Sequence, residues 1–265
     1  MISTTRMATS TLVCTALALT ATACSSTTKP IGAATAASTP IATNATAIPA
    51  TPSPTATLAG PLAGMAGGTI ATNAEDAQSL ATSVHVTGGE ANAVPHTTVD
   101  VRIAGDKGCQ GTATTAGAGS YQVVVIGSDI WVKPDLALWR TMGGGSPAAQ
   151  QLLSGKYFKS SLSDTKMRLF AEVCSLNSIV VSSMQHAAIS TVGPVTTFAG
   201  TKALTLLDPL DNATILVSDT AAPEVLQVTD SGAKAATTTF SDYNAPLTLT
   251  PPPADETVSA AEYGL

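Results

Sequence analysis

The chain has 265 residues and a formal net charge of −6, and a chain of this length favours one folded domain with tails. Charged residues make up 11% and aromatic residues 4%, while hydrophobic residues reach 44% because alanine is abundant. Proteins that bind phosphate backbones carry clusters of lysine and arginine, and this sequence has none, so we expect no nucleic-acid partner.

The first 23 residues have the pattern of an export signal. Arg6 is the only charged residue before Cys24, and apolar and small residues run from Met7 to Ala23. The run is short and contains many threonines, so it does not fit a membrane-spanning helix. We therefore predict that residues 1–23 are a signal peptide that is removed.

Cys24 follows Ala21 and Ala23, and small residues directly before a cysteine resemble a bacterial lipobox. We predict that Cys24 becomes a diacylglyceryl cysteine, whose acyl chains anchor the protein to the extracytoplasmic face of the cell membrane. Ser25 and Ser26 would begin a polar tether. The alternative is an ordinary secretory signal that leaves Cys24 as a free thiol.

Residues 24–72 are predicted to be a flexible stalk behind the lipidated cysteine. From Ser25 to about Gly68 the sequence is rich in threonine, alanine, proline and serine, with almost no charge and no apolar period. Such a segment buries too little apolar surface to offset the conformational entropy lost on ordering.

A folded domain is predicted over residues 73–253, beginning with Asn73 as the N-cap of a helix. The next segment is the clearest strand in the sequence, because Val99, Val101 and Ile103 alternate with charged residues. Further strands are predicted at 111–115, 121–126, 130–133, 199–207, 213–218, 225–229, 235–240 and 247–250. Between the two groups of strands, helices are predicted from Pro134, from Ser146 and over residues 164–176.

This order of elements predicts an α+β fold, in which a large curved antiparallel sheet wraps a few helices on its concave side. Three prolines at 251–253 would stop the last strand. The tail over residues 254–265 is then predicted to be loose.

Two cysteines remain beyond the signal peptide and the lipid site, Cys109 and Cys174. In an exported protein an even pair of cysteines favours a disulfide. Cys174 shares one face of its predicted helix with Met167 and Phe170, which would place its thiol on the buried side. Metal binding is the weaker interpretation of the pair, because neither CxxC spacing nor a partner histidine accompanies it.

The sequence contains no motif that indicates catalysis, a cofactor or a metal centre. Its three histidines, at positions 85, 96 and 186, have no metal-ligand spacing. No GxSxG motif precedes a helix, and the glycine run at 143–145 lacks the lysine of a phosphate-binding loop. We therefore expect a protein that is not an enzyme.

Four short segments resemble the actinobacterial lipoproteins of the LppX/LprG type, which share the LolA/LolB-like half-barrel fold. They are SVHVT at 83–87, IWVKP at 130–134 leading to Trp139, KYFK at 156–159 and FSDYNAPLTL at 240–249. The resemblance implies an apolar cavity between sheet and helices that binds acylated lipids or glycolipids. The residues expected to line it are Trp131, Leu136, Leu138, Trp139, Met167 and Phe170.

Two hypotheses about this interior remain open from the sequence. In the first, the cavity is open and the protein is a lipid-binding envelope lipoprotein. In the second, the six side chains form an ordinary core, and the protein is a structural or protein-interaction lipoprotein without a small ligand. No protein partner can be inferred from the sequence.

Overall fold

A computed structural model describes residues 60–89, 97–142, 146–175, 184, 186–210, 212–231 and 236–263. The predicted signal peptide, Cys24 and the stalk up to residue 59 lie outside these residues. Within them, no helix is both long and apolar enough to cross a membrane.

The described residues form one sheet of twelve strands in the order β12-β6-β5-β4-β3-β2-β1-β11-β10-β9-β8-β7. The strands are β1 Val84–Gly89, β2 Thr97–Ile103, β3 Gly108–Thr115, β4 Gly119–Ile126, β5 Asp129–Pro134, β6 Tyr157–Ser161, β7 Thr191–Phe198, β8 Thr201–Asp208, β9 Ala213–Ser218, β10 Val225–Asp230, β11 Ala236–Ser241 and β12 Thr257–Ser259. Neighbouring strands pair antiparallel, except that β12 runs parallel to β6. The order is linear, so the sheet is open.

Within the part of the chain that the structure describes, four α-helices and several 3₁₀ turns accompany the sheet. The helices are α1 Gly67–Ser79, α2 Leu136–Thr141, α3 Pro147–Leu153 and α4 Thr165–Arg168, and the 3₁₀ turns include Leu169–Cys174 and Ala187–Ile189. α2 and α4 contact β5, and the turn that follows α4 contacts β2, β3 and β4. α1 contacts β7, β10 and the 3₁₀ turn Ala187–Ile189. The predicted α+β fold with a large antiparallel sheet and few helices is confirmed.

Alternating side chains give the sheet one apolar and one polar face. Val99, Val101 and Ile103 of β2 are buried in the main hydrophobic core, whereas Asp100 and Arg102 between them are exposed. The same alternation continues into β3 and β4 through direct cross-strand pairing. We call the core-facing side the inner face and the other side the outer face.

α1 begins at Gly67, and the predicted start at Asn73 is wrong. Gly67 and Gly68 lie against the backbone carbonyls of Ser190 and Ala188, where a Cβ atom would collide, so the first turn packs closely on the 3₁₀ turn. Before it, Leu62 is buried. Ordered structure therefore reaches into the segment predicted as stalk, because close packing, not a capping side chain, fixes the start of this helix.

The C-terminal part also differs from the prediction. Residues 247–250 pair with no strand within the described structure, while the tail beyond them supplies β12. Lys156 Nζ donates a hydrogen bond to the Asp255 carbonyl at 2.6 Å, which further attaches the tail. The sequence did not predict β7, because Gly193 and Pro194 interrupt the residue pattern of a strand. Proline is tolerated there because β7 is an edge strand.

Asp135 links α2 to the start of β4. Its Oδ1 accepts a hydrogen bond from the Leu138 amide at 2.7 Å, and its Oδ2 accepts from the Ser120 amide at 2.7 Å and hydroxyl at 2.8 Å. Burial raises the pKa of the Asp135 carboxyl, but the hydrogen bonds from Leu138 and Ser120 outweigh it, so the pKa lies below its ordinary value. The charged carboxylate is therefore the stabilising form.

We expect Asp135→Ala to lower the free energy of unfolding by about 1 kcal/mol at neutral pH, as for loss of a helix N-cap. Because the folded-state pKa is depressed, this contribution is present above the unfolded-state pKa and is lost as pH falls through the folded-state value. Urea denaturation of both proteins between neutral and acidic pH measures the difference. The exposed Asp106, changed to alanine, is the control, and an equal loss in that variant would contradict the capping role.

Candidate functional site

The candidate site is the interior between the inner face of the sheet and the helices. On one side of it, α1 presents a buried face whose members are spaced by one helical turn. These residues are Gly67, Ile70, Ala71, Ala74 and Gln78. The spacing of Ala77, Leu80, Ala81 and Val84 in the sequence predicts a different buried face, and this prediction is wrong, since Leu80 is 80% exposed.

On the other side, aromatic side chains pack beneath β4, β5 and β6. Trp139 of α2 stacks on Phe158 of β6 with ring centroids 4.7 Å apart. Phe170 meets Tyr121 of β4 edge to face at 4.9 Å. Met167 is fully buried among them. This part of the interior is close-packed.

Four of the six predicted cavity residues lie in this interior. Trp139 and Met167 belong to the buried core, and Leu138 and Phe170 pack against it while partly exposed. The structure thus brings these four side chains together on the inner face. Contact between them and a ligand stays a prediction.

The other two predicted cavity residues, Trp131 and Leu136, do not line this interior. Trp131 pairs directly with Val124, and both side chains lie on the outer face, while its neighbours Ile130 and Val132 enter the core. Three apolar residues in a row do not reveal which face the middle one takes. Leu136, at the start of α2, is 42% exposed.

The disulfide between Cys109 and Cys174 joins the sheet to the 3₁₀ turn Leu169–Cys174. Cys109 is fully buried on the inner face of β3, and the two Cα atoms are 5.6 Å apart. The turn lies under β2, β3 and β4. The bridge therefore holds Phe170 and its neighbours against the sheet.

Gln78 is a functional candidate that the sequence analysis missed. Its side chain is 1% exposed, yet neither its amide nitrogen Nε2 nor its amide oxygen Oε1 has a hydrogen-bond partner among the described residues. The indole nitrogen Nε1 of Trp139 is also buried without a hydrogen-bond partner among the described residues. Buried polar groups nearly always form hydrogen bonds, so we expect these atoms to have a hydrogen-bond partner that the described residues do not supply. The sequence feature that could have identified Gln78 is a glutamine on the apolar face of α1.

The described titratable side chains indicate no catalytic or metal-binding arrangement at this site. His85 lies on the outer face, where Nε2 is 2.7 Å from Asp100 Oδ1 and Nδ1 is 3.6 Å from Asp242 Oδ2. Within the described parts of the chain, no three histidine, cysteine, aspartate or glutamate residues are grouped to hold a metal ion. His96 lies outside the described residues.

No protein-family model matches the chain, and no curated protein matches it. Several solved structures are similar to it. The chain is similar to LprF from Mycobacterium bovis, with 14% identity and a TM-score of 0.47 over 70% of this chain and 96% of LprF. It is also similar to the Mycobacterium tuberculosis lipoprotein LppX, with 15% identity and a TM-score of 0.43 over 69% of this chain and 97% of LppX.

A third similar structure is the MucA/MucB complex of Pseudomonas aeruginosa, with 10% identity and a TM-score of 0.30. That match covers 71% of this chain and 59% of the other. LppX is a lipoprotein of the type that the sequence motifs resemble.

Proposed function

We propose that this protein is a membrane-anchored envelope lipoprotein without catalytic activity, which binds an acylated ligand between the sheet and the helices. Cys24 would carry the anchor at the extracytoplasmic face of the cell membrane. The ligand's acyl chain would lie against the inner face, where burial of apolar surface contributes roughly 25 cal/mol per Å².

The unpaired amide of Gln78 carries this proposal. Gln78 shares the buried face of α1 with the apolar residues Ile70, Ala71 and Ala74, and burial of its unpaired amide costs about 1–3 kcal/mol. An ester or amide group of an acylated ligand would accept a hydrogen bond from Nε2 while its chain filled apolar space. A ligand of this chemistry gives Nε2 an acceptor while its chain contacts the apolar interior, and an amide-linked ligand also donates its N–H to Oε1.

Native mass spectrometry with organic extraction tests the proposal. The chain from Ser25 onward would be exported from an actinobacterial host behind a cleavable secretory leader, because a start at Asn73 would remove Leu62 and part of α1. We expect a co-purifying lipid of defined mass that is released by organic solvent. A protein that stays ligand-free, even after incubation with host lipid extract, would contradict the proposal.

Gln78→Met changes this site without changing the length of the side chain. We expect it to stabilise the ligand-free protein by about 1–3 kcal/mol, because an unpaired amide is removed from an apolar interior. Lipid occupancy should fall about tenfold in the same variant, because one hydrogen bond to the ligand is lost. Thermal unfolding and native mass spectrometry measure the two effects.

Gln151→Met, on the exposed side of α3, is the matched control and should change neither quantity. Unchanged lipid occupancy in Gln78→Met would show that the amide does not contact the ligand. It would leave the carrier function resting on the extracted lipid alone.

A protein-interaction lipoprotein is the second candidate. The stacking of Trp139 on Phe158 and the contact of Phe170 with Tyr121 support it, because these rings fill the space beneath β4 to β6. A ligand-free protein in the extraction experiment would favour this candidate and direct the search to protein partners.

A further inference from the structure

A groove of about 540 Å³ lies on the outer face of the sheet, on the side away from the core and the helices. Its floor consists of β2, β3 and β4. Asp100 and Arg102 of β2 line it, and both alternate along the strand with residues of the buried core. The groove is therefore separate from the interior site, with the full thickness of the sheet between them.

The second wall of the groove is the C-terminal strap, which we define as residues 242–256. The strap leaves β11 next to β1 and reaches β6 through β12, so it passes β2 to β5, and Thr250 and the prolines at 251–253 line the groove. Both ends are held: Arg102 Nη1 donates to Asp242 Oδ2 at 2.9 Å, and Lys156 donates to the Asp255 carbonyl. The wall is thus fixed before any ligand arrives.

The charged side chains of the groove are already paired. Asp100 contacts His85 at 2.7 Å, and the Arg102 guanidinium contacts Asp242. Glu256 lies 3.6 Å from the Lys133 ammonium. Because each of these charged side chains already has a polar or oppositely charged partner, an ionic ligand would have to displace that partner, and the groove favours an uncharged ligand.

The groups that remain available are neutral amides and hydroxyls. Tyr157 donates a hydrogen bond to Gln122 Oε1 at 2.6 Å, which leaves the amide nitrogen of Gln122 to donate. Burial and the charge of Glu256 raise the pKa of Tyr157, so its hydroxyl stays protonated in this role. Thr112 lies directly opposite Gln122, and Gln110 is its neighbour on the same face of β3. The side chains of Thr112 and Gln110 have no hydrogen-bond partner in the described structure.

We propose that this groove binds an uncharged sugar. The hydroxyls of a sugar both donate and accept hydrogen bonds, as do the threonine hydroxyl and the glutamine amides. Thr112 and Gln122 lie opposite each other on neighbouring strands about 4.8 Å apart, and Gln110 lies two residues from Thr112 along β3. The proline rings of the strap offer an apolar wall for the C–H face of a sugar ring. A volume of this size suits a small ligand.

An extended peptide fits the groove less well. A peptide strand binds a sheet through a free backbone edge, but the backbone of β3 already pairs with β2 on one side and with β4 on the other. The floor presents only side chains to a ligand.

The test is titration of the full chain with neutral trisaccharides, namely maltotriose, mannotriose and chitotriose, followed by saturation-transfer NMR and calorimetry. The protein would be held in a polyoxyethylene detergent, because a detergent with a sugar headgroup would compete. We expect at least one trisaccharide to bind, with about tenfold weaker binding in Thr112→Val and in Gln110→Met. Thr114→Val should bind normally, since Thr114 is on the same face of β3 outside the groove.

Absence of binding by all three trisaccharides at millimolar concentration would overturn the proposal. So would binding that neither groove variant weakens, or equally tight binding of an uncharged peptide of similar size. Gln78→Met should leave sugar binding unchanged, so failure here is distinguishable from failure of the lipid-binding function.

Discussion

Changing both Cys109 and Cys174 to alanine is expected to lower the free energy of unfolding by about 4 kcal/mol in the chain-entropy treatment of disulfides. The bridge spans a sequence separation of 65 residues, so its loss frees a long loop in the unfolded chain. In the folded state it also releases the 3₁₀ turn Leu169–Cys174 from the sheet. Urea denaturation should show a lower midpoint for the double variant.

Two controls make this result specific. The non-reduced protein should be lighter by two hydrogens than the reduced protein, which establishes the bridge itself. Reductant added with denaturant should destabilise the native chain but leave the double variant unchanged. A double variant within about 1 kcal/mol of the native chain would contradict a stabilising role, since typical disulfides contribute about 2–4 kcal/mol.

Changing Cys24 to serine is expected to abolish membrane attachment. Two acyl chains on this cysteine would contribute roughly 0.8 kcal/mol for each buried methylene, enough for stable anchoring, whereas serine accepts no thioether-linked lipid. The native chain should therefore fractionate with membranes, and the variant should not. Mass spectrometry of the N-terminal peptide would show the diacylglyceryl group on the native chain alone.

Cys14→Ser is the matched control, because Cys14 lies in the segment that the signal peptidase would remove. That variant should remain attached to membranes. Recovery of the native chain in the medium with a free Cys24 thiol would instead support the ordinary secretory signal and would remove the anchor from the proposed function.

The sequence predicted most of the sheet. In β2, apolar and charged residues alternate strictly, so one face had to be buried and the other exposed, and the strand lies where expected. The predicted segments at 121–126 and 213–218 also became strands, because glycine, aspartate or asparagine turns bound each of them. The inward position of Met167 was predicted in the same way, although its helix is short and continues as a 3₁₀ turn.

Elements without a strong local pattern could not be predicted. The start of α1 depends on contact between Gly67 and the carbonyl of Ser190, residues far apart in sequence. β12 exists because β6 offers an open edge to a parallel partner. Residues 247–250 have the alternation of a strand, with Leu247 and Leu249 half-buried, yet they cross the sheet instead of joining it.

The sequence by itself determined the class of fold and the cysteines available for a bridge, and it carries the pattern around Cys24 from which export is predicted, because each depends on local composition or periodicity. The tertiary structure decided which face each apolar side chain occupies. It moved Trp131 to the outer face, left the amide of Gln78 unpaired in an apolar interior, and brought Gln110 and Thr112 under the C-terminal strap. These placements depend on which strands and helices become neighbours, and local periodicity carries no information about neighbours that are distant in sequence.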